Sequence, residues 1–220
     1  MQNLVDLILE QPNAPSIIEE AKTRLEKEKE SRQHFYAIID ENTKAEFVNG
    51  QIIYHSPVKK EHNDVASGLF FLLKGFVAKF KLGYLGFDKL MVSLTRNDFE
   101  PDICFFDNEK SQHFVKGQMH FPAPDLAVEV LSSNEQHDRE VKYKDYQLHG
   151  VREYWIIDPN TETIEQYLLE EEAYQLNLKA TDGHIESTTV KGFRIPIRAI
   201  FDEEKGMEAL MTLLQKNIEA

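Results

Sequence analysis

Two carboxylates interrupt runs of apolar residues that otherwise have the character of buried β-strands. Asp102 opens the run PDICFFD (101–107), and Glu129 lies in the middle of PDLAVEVLS (124–132), with a valine on each side. Nearly continuous apolar runs of this length favour strands that are covered on both faces. A carboxylate at such a position is costly to bury unless it is paired or binds a cation. These two acids therefore constrain both the fold and its chemistry.

Helix and strand patterns alternate along the chain, which predicts an α/β (α+β) fold with a mixed β-sheet flanked by helices. Ser16–Arg32 combines helix formers with acids and bases at helical spacing, and Glu61–Lys81 carries apolar residues at i, i+3 and i+4. Asn49-Gly50 predicts a tight hairpin turn. Similar patterns predict strands at 35–40, 84–94 and 153–159, a helix over 135–149, an antiparallel meander of 162–169, 173–178 and 185–190, and a closing helix over 203–217.

The length of 220 residues suits one domain with a terminal appendage. We expect an N-terminal helical extension over residues 1–34, a main domain over 35–201, and a C-terminal helix over 202–220 that packs on the main domain. The helix at Ser16–Arg32 is expected to be a solvated helix packed on the main body, and the alternative is a helix that binds a partner.

The formal net charge of −13 argues against indiscriminate coating of DNA or of an anionic membrane. It leaves open a nucleic-acid enzyme whose bases are gathered in one cleft. The single Cys104 lies in an apolar run and is expected to be a buried structural thiol. The first residues do not match a secretory signal, and the longest apolar run, LFFLL (69–73), is far too short to span a bilayer. We therefore expect a cytoplasmic protein with no membrane segment.

Two acids that converge on adjacent strands would bind a hard divalent cation, Mg²⁺ or Mn²⁺, through oxygen. The alternatives are a turn or cap role for Asp102 and a salt bridge from Glu129 to a helix lysine. If the acids lie side by side without a metal, they should repel, so replacing either should leave stability unchanged or raise it.

Asp138, Lys142 and Tyr146 are four residues apart and should share one helix face. An ammonium near the two acids could activate water or steady a phosphate oxygen. The alternative is a surface pair of Asp138 and Lys142. Tyr146 is expected to be a core anchor whose hydroxyl has a partner.

This combination resembles the PD-(D/E)XK nuclease superfamily and, more narrowly, the bacterial family of putative restriction endonucleases. The resemblance runs from about Phe35 to Phe201. It rests on EFVNGQII, the helix with His62, PDICFF, PDLAVEVLS, the D-x-x-x-K-x-x-x-Y helix, GVREYWIIDP and KGFRIPIRAIF, in this order. The resemblance implies a restriction-endonuclease-like fold for residues 35–201.

The same resemblance implies Asp102 and Glu129 as ligands of Mg²⁺ or Mn²⁺, with the backbone carbonyl of Val130 completing the coordination. The superfamily's lysine, expected two residues after the acid, is Leu131 in this chain. Lys142 is then expected to substitute for it from the following helix.

Two further residues match the family pattern. Glu46, at the start of EFVNG, would add a metal ligand or hold a water, and the alternative is a charge at the hairpin edge. His62 would contact phosphate or serve as an auxiliary base, and the alternative is an ordinary histidine near the start of a helix.

The resemblance implies a metal-dependent endonuclease that hydrolyses phosphodiester bonds of DNA. A homodimer is the expected assembly, because cutting both strands needs two active sites. Two alternatives stay open: a catalytically silent binding or assembly protein of the same fold, and a metal-dependent hydrolase of another substrate. Seven bases against three acids give residues 58–96 a local charge of +4, which would steer phosphate if this segment frames the cleft; the alternative is a solvated helix face. Residues 153–172 hold seven acids and no base, and these are expected to form a solvated acidic rim.

Overall fold

A computed structural model describes residues 3–40, 42–132 and 135–215 of the chain. The described residues divide into two units, and the boundary lies between His55 and Ser56. The predicted boundaries after residues 34 and 201 stay predictions. No helix in the described part of the chain is long and apolar enough to cross a membrane.

The first unit consists of two helices and a hairpin. Its elements are α1 (Leu4–Leu9), α2 (Ala14–Ile38), β1 (Ala45–Val48) and β2 (Gln51–Tyr54). Asn49 and Gly50 connect the two strands with φ angles of 49° and 84°, which is the left-handed backbone that a two-residue hairpin turn requires. The hairpin predicted from Asn49-Gly50 is therefore confirmed.

Residues 35–40 were expected to form a strand, and this prediction is wrong. The helix α2 continues through Ile38 instead. Phe35 is buried, and its ring stacks on Phe47 of β1 at a centroid distance of 5.7 Å. This aromatic contact decides the conformation, because packing of a large side chain outweighs a weak local preference for strand.

The second unit contains the remaining helices. They are α3 (Lys60–Phe80), α4 (Asn108–Ser111), a π-helix (His137–Lys142), α5 (Tyr143–Leu148), a 3-10 helix (Ile197–Ile200) and α6 (Glu203–Gln215). The apolar face predicted for α3 is buried over the central sheet, and Gly75 on α3 allows close contact with Leu210 of α6. The last two residues of the predicted closing helix, 216 and 217, lie outside the described residues.

A six-stranded mixed sheet forms the centre of this unit, in the order β11-β10-β9-β8-β6-β3. Only β8 and β9 are parallel within it; the other neighbours are antiparallel. Its strands are β3 (Gly83–Phe87), β6 (Ile103–Asp107), β8 (Leu126–Val130), β9 (Glu153–Asp158), β10 (Thr163–Glu170) and β11 (Ala173–Ala180). Helices flanking a mixed sheet confirm the predicted fold class.

Short strands complete the unit. Those that pair among themselves are β4 (Met91–Ser93) with β5 (Asp98–Phe99) and β7 (His120–Phe121), and β12 (His184–Glu186) with β13 (Arg194–Pro196). The strand predicted over 84–94 is thus divided into β3 and β4. Asp88 lies between them with φ 59°, a left-handed conformation that ends an extended run.

The predicted third strand of the meander, 185–190, is also wrong. The extended segment β12 ends at Glu186 and pairs with β13 rather than with β11. The backbone N–H groups of Thr188 and Thr189 each donate to one oxygen of the buried Glu153, at 3.0 Å. These bonds curl the chain around a carboxylate, so it cannot stay extended there.

Candidate active site

The register of β6 and β8 brings the two predicted carboxylates to the same end of adjacent strands. The antiparallel pairing matches Ile103 with Val128, and continuing it by one residue puts Asp102 opposite Glu129. Both acids are buried, with 7% and 3% of their surface exposed. Burial this deep requires that each carboxylate has partners.

Asp102 is bound by the backbone of the neighbouring strand and faces a histidine. The Val130 N–H donates to Asp102 Oδ2 at 2.8 Å. Nε2 of His62, a buried residue in the first turn of α3, lies 3.3 Å from the same oxygen. His62 therefore reaches the predicted site, where it contacts a carboxylate.

Glu129 receives one donor on each of its oxygens. Lys142 Nζ lies 2.8 Å from Oε2, and the Tyr146 hydroxyl donates to Oε1 at 3.0 Å. Both donors are buried and come from the segment after β8. The sequence predicted that Lys142 would approach this acid and that Tyr146 would be a core anchor; the bond from Tyr146 to Glu129 was not predicted.

Lys142 also contacts a second carboxylate, that of Asp138. Its ammonium lies 3.3 Å from Asp138 Oδ1 and 5.9 Å from the centre of the Phe99 ring. Lys142 is only 3% exposed, and a buried ammonium is stable only when acids surround it. The predicted alternative of a surface Asp138–Lys142 pair is wrong, because both residues are buried.

The helix that carries these residues is not a uniform α-helix. A π-helix spans His137–Lys142, α5 follows directly, and Gly150 beyond it has φ 72°. The continuous helix predicted over 135–149 is therefore right in position and wrong in winding. Single π-turns are rare and are frequently found at functional sites.

Leu131 occupies the position of the superfamily's usual lysine. It is 2% exposed, and its N–H donates to the Ile157 carbonyl at 2.7 Å. An apolar side chain therefore occupies this position, and the ammonium at Glu129 comes from Lys142.

Glu46 belongs to the first unit. It is fully buried in β1, and its Oε2 lies 3.5 Å from Nε2 of His55. The alternative of an exposed charge at the hairpin edge is wrong, because no surface of Glu46 is exposed. Its role as a ligand or water-holding acid stays a prediction.

A model of the Uma2 family, described as putative restriction endonuclease, matches residues 32–198, about three quarters of the chain. The chain belongs to the Uma2 family. This confirms the resemblance to the PD-(D/E)XK superfamily that the motifs indicated.

A solved structure with the fold of this Uma2 chain is that of a putative nuclease belonging to DUF820 from Anabaena variabilis ATCC 29413. The two chains are 20% identical with a TM-score of 0.65, and the match covers 76% of this chain and 94% of the other. None of the curated proteins compared with the chain matches it. At this identity the structural likeness shows the fold.

The electrostatic field of the Uma2 site extends into the tyrosine-rich interior behind the π-helix. Burial raises the pKa of the Tyr154 hydroxyl well above its ordinary value, and the negative charges of Glu129, Asp138 and Asp102 add to the rise. Burial likewise raises the pKa of the Cys104 thiol, which confirms the predicted buried thiol. Neither group ionises at neutral pH.

Two acids of the expected solvated rim are instead buried in this Uma2 chain. Glu153 is fully buried, and Trp155 Nε1 donates to its Oε1 at 2.7 Å. Glu165 is 3% exposed and receives Arg139 Nη1 at 3.1 and 3.0 Å on its two oxygens. Both acids were assigned to the rim because residues 153–172 hold seven acids and no base, and that count does not distinguish inward from outward positions of a strand.

A cavity of about 640 Å³ lies at the opposite end of β8 from Glu129. Asp125 lines it, is 1% exposed, and receives Lys110 Nζ at 2.9 Å and Arg152 Nη2 at 2.8 Å. Both cations are therefore paired with an acid, and the cavity is separate from the Uma2 carboxylate site.

Proposed function

We propose that this chain is a metal-dependent endonuclease that hydrolyses phosphodiester bonds of DNA. The description of the Uma2 family and the name of the structural neighbour both support a nuclease. The observation that carries the proposal is the 2.8 Å contact between Lys142 and Glu129. This contact places an ammonium beside the strand acid Glu129. The position where the superfamily usually has its lysine is Leu131 in this chain.

The donor set fits Mg²⁺ or Mn²⁺. Asp102 and Glu129 offer carboxylate oxygens, and the carbonyl of Val130 offers a third oxygen at the end of the same strand. Among the described residues no group of three or more His, Cys, Asp or Glu side chains is arranged to hold a metal. Mg²⁺ usually takes one or two carboxylates and keeps several waters, so a site with two carboxylates suits it.

A bound cation would make a water more acidic and neutralise charge on the scissile phosphate. The chain's own residues have complementary tasks. Lys142 has three donors and a fixed position, so it would orient the attacking water or stabilise negative charge on the phosphate. His62 lies against Asp102, which favours a role in orienting that carboxylate over direct contact with phosphate.

DNA is the proposed substrate because the family is described in terms of restriction endonucleases. Cutting both strands of a duplex needs two sites, which is the basis for proposing a homodimer. The excess of bases in residues 58–96 would attract phosphate to one face of an otherwise acidic protein.

The proposal is tested by nicking of supercoiled plasmid DNA in Mg²⁺ or Mn²⁺, with single-stranded RNA as a second substrate. We expect cleavage by the wild type that EDTA abolishes, and loss of at least about a hundredfold in Lys142→Met, in keeping with the loss of one group that stabilises developing charge. Lys179→Met is the matched control, because Lys179 is largely exposed and pairs with Glu165 on another part of the sheet.

Full activity of Lys142→Met would contradict the role of Lys142. A wild type that binds Mn²⁺ but cleaves neither DNA nor RNA would contradict the nuclease and favour a hydrolase of another substrate. Equal loss in Lys142→Met and Lys179→Met would show a general effect on the fold rather than on the site.

A further inference from the structure

We infer that Tyr146 is a positioning residue of the carboxylate site. Its hydroxyl holds one oxygen of Glu129 while Lys142 holds the other. The inference rests on the proposed function in one respect, namely that the Glu129 carboxylate binds a divalent cation. The hydrogen bond itself is independent of that function.

The hydroxyl of Tyr146, more than its ring, needs an explanation. Tyr146 is fully buried, and a phenylalanine would fill the same space without placing a polar group in the core. A buried hydroxyl costs free energy unless it is bonded, and a bond to an ionised carboxylate is stronger than one to a neutral acceptor. The 3.0 Å contact with Glu129 Oε1 supplies such a bond.

The ring of Tyr146 is fixed from two sides, so its hydroxyl has a defined position. Phe99 meets it edge-on at a centroid distance of 5.6 Å and an interplanar angle of 71°, and Tyr154 does so at 5.3 Å and 72°. Edge-to-face pairs of this geometry stabilise a particular ring orientation. The donor that reaches Glu129 is therefore preorganised by the core.

Two donors on the two oxygens define the plane of the Glu129 carboxylate. The terminal torsion of a glutamate has broad preferences, so a single contact leaves the carboxylate able to rotate. Lys142 ends the π-helix and Tyr146 lies in α5, four residues later. One stretch of helix thus supplies both contacts, and its winding determines where they point.

A carboxylate held in one plane binds a cation without first being ordered. Residues that orient metal ligands in this way typically change metal affinity by about 10- to 100-fold when they are removed. Loss of the Tyr146 hydroxyl should therefore weaken cation binding although Tyr146 does not touch the cation.

The test compares Tyr146→Phe with Tyr174→Phe. Tyr174 is also buried, and its hydroxyl donates to the Val151 carbonyl at 2.7 Å, away from Glu129. Each variant loses one buried hydroxyl bond, so both should lose similar thermal stability. Mn²⁺ affinity is measured by calorimetry, and the orientation of Glu129 by crystal structures of the metal-free proteins.

We expect Tyr146→Phe to weaken Mn²⁺ binding about tenfold or more and to rotate the Glu129 carboxylate. Tyr174→Phe should do neither. An unmoved Glu129 in Tyr146→Phe would overturn the inference, as would an equal loss of Mn²⁺ affinity in both variants. If the wild type binds no Mn²⁺, the proposed function fails, and the metal-free structures alone decide: a rotated Glu129 supports the positioning role and an unmoved one rejects it.

Discussion

A carboxylate buried in a sheet has to be neutralised by a group within reach, and for Glu129 that group is Lys142. Their contact is 2.8 Å, and both side chains are 4% exposed. Two adjacent acids without a metal are expected to repel, so replacing Asp102 or Glu129 would cause no loss of stability. The observed pairing reverses that expectation for Glu129, because its removal would leave a buried ammonium with less compensating charge.

Glu129→Gln should therefore destabilise the metal-free protein. Removing one partner of a buried ion pair costs about 3 kcal/mol or more. The free energy of unfolding can be measured by urea denaturation in EDTA. Glu140→Gln is the control, because Glu140 is an exposed residue of the same π-helix and its replacement should change little.

An unfolding free energy for Glu129→Gln equal to or above that of the wild type would contradict this account of the pair. It would favour the original expectation that the two strand acids strain the site.

Some of these residues could be predicted from the sequence and others could not. Asp102 and Glu129 stand out because an acid inside an apolar strand is unusual. Helical spacing placed Lys142 only on one face with Asp138 and Tyr146, and its role at the site was implied by the family resemblance. The contact of Tyr146 with Glu129 depends on distances across the fold, which spacing does not give. Glu153 was expected to be a surface acid. The partners that allow it to be buried, among them Trp155 and Ser187, include residues distant in sequence, so they could not be identified from the local pattern.

At the scale of elements, an ion pair ties the π-helix to the sheet. Arg139 of the π-helix donates to both oxygens of Glu165 on β10, and Lys179 of β11 lies 3.0 Å from the same carboxylate. Burial acts to raise the pKa of Glu165, but hydrogen bonds from Arg139, Tyr167 and Lys179 outweigh it, so the pKa is lowered. The helix that carries Lys142 is therefore anchored through an ionised Glu165.

This anchor predicts a contribution to stability that depends on pH. A carboxylate whose pKa is lower in the folded state stabilises fully above its unfolded pKa of about 4.3, and this contribution is lost as the pH falls through the folded pKa. Between about pH 6 and pH 3, Glu165→Gln should consequently lose less thermal stability than the wild type.

Thermal denaturation across this pH range measures the effect. Glu172→Gln, at an exposed position beyond β10, should keep the acid sensitivity of the wild type. If Glu165→Gln loses as much thermal stability at low pH as the wild type does, the ionisation of Glu165 does not cause the pH dependence of stability.

Elements with a strong local signal were predicted, whereas those set by distant contacts were not. The Asn49-Gly50 hairpin and α3 have turn chemistry and apolar spacing that act locally. The extension of α2 to Ile38 depends on Phe35 packing against Phe47. The end of β12 depends on hydrogen bonds to Glu153. The π-helix changes the number of residues per turn, although Asp138, Lys142 and Tyr146 are all buried, as expected for one helix face.

At the scale of the whole molecule, the position of the charges matters more than their sum. Among the described residues nine acids and one lysine are buried, which is a formal 1 − 9 = −8. The rest of the chain therefore carries −13 − (−8) = −5. The buried acids are Glu46, Asp98, Glu100, Asp102, Asp125, Glu129, Asp138, Glu153 and Glu165. Most of the formal negative charge of the chain thus lies in these buried acids.

The central claim is that Asp102 and Glu129 form a site for a divalent cation. An ion pair between Glu129 and Lys142 would also suit a purely structural role, so cation binding is what separates the two. Calorimetric titration with Mn²⁺ should show binding to the wild type and its loss in Asp102→Asn, while Asp158→Asn, a change at the partly exposed end of β9, should bind as the wild type does. Absence of binding to the wild type, or equal binding to Asp102→Asn, would contradict the claim.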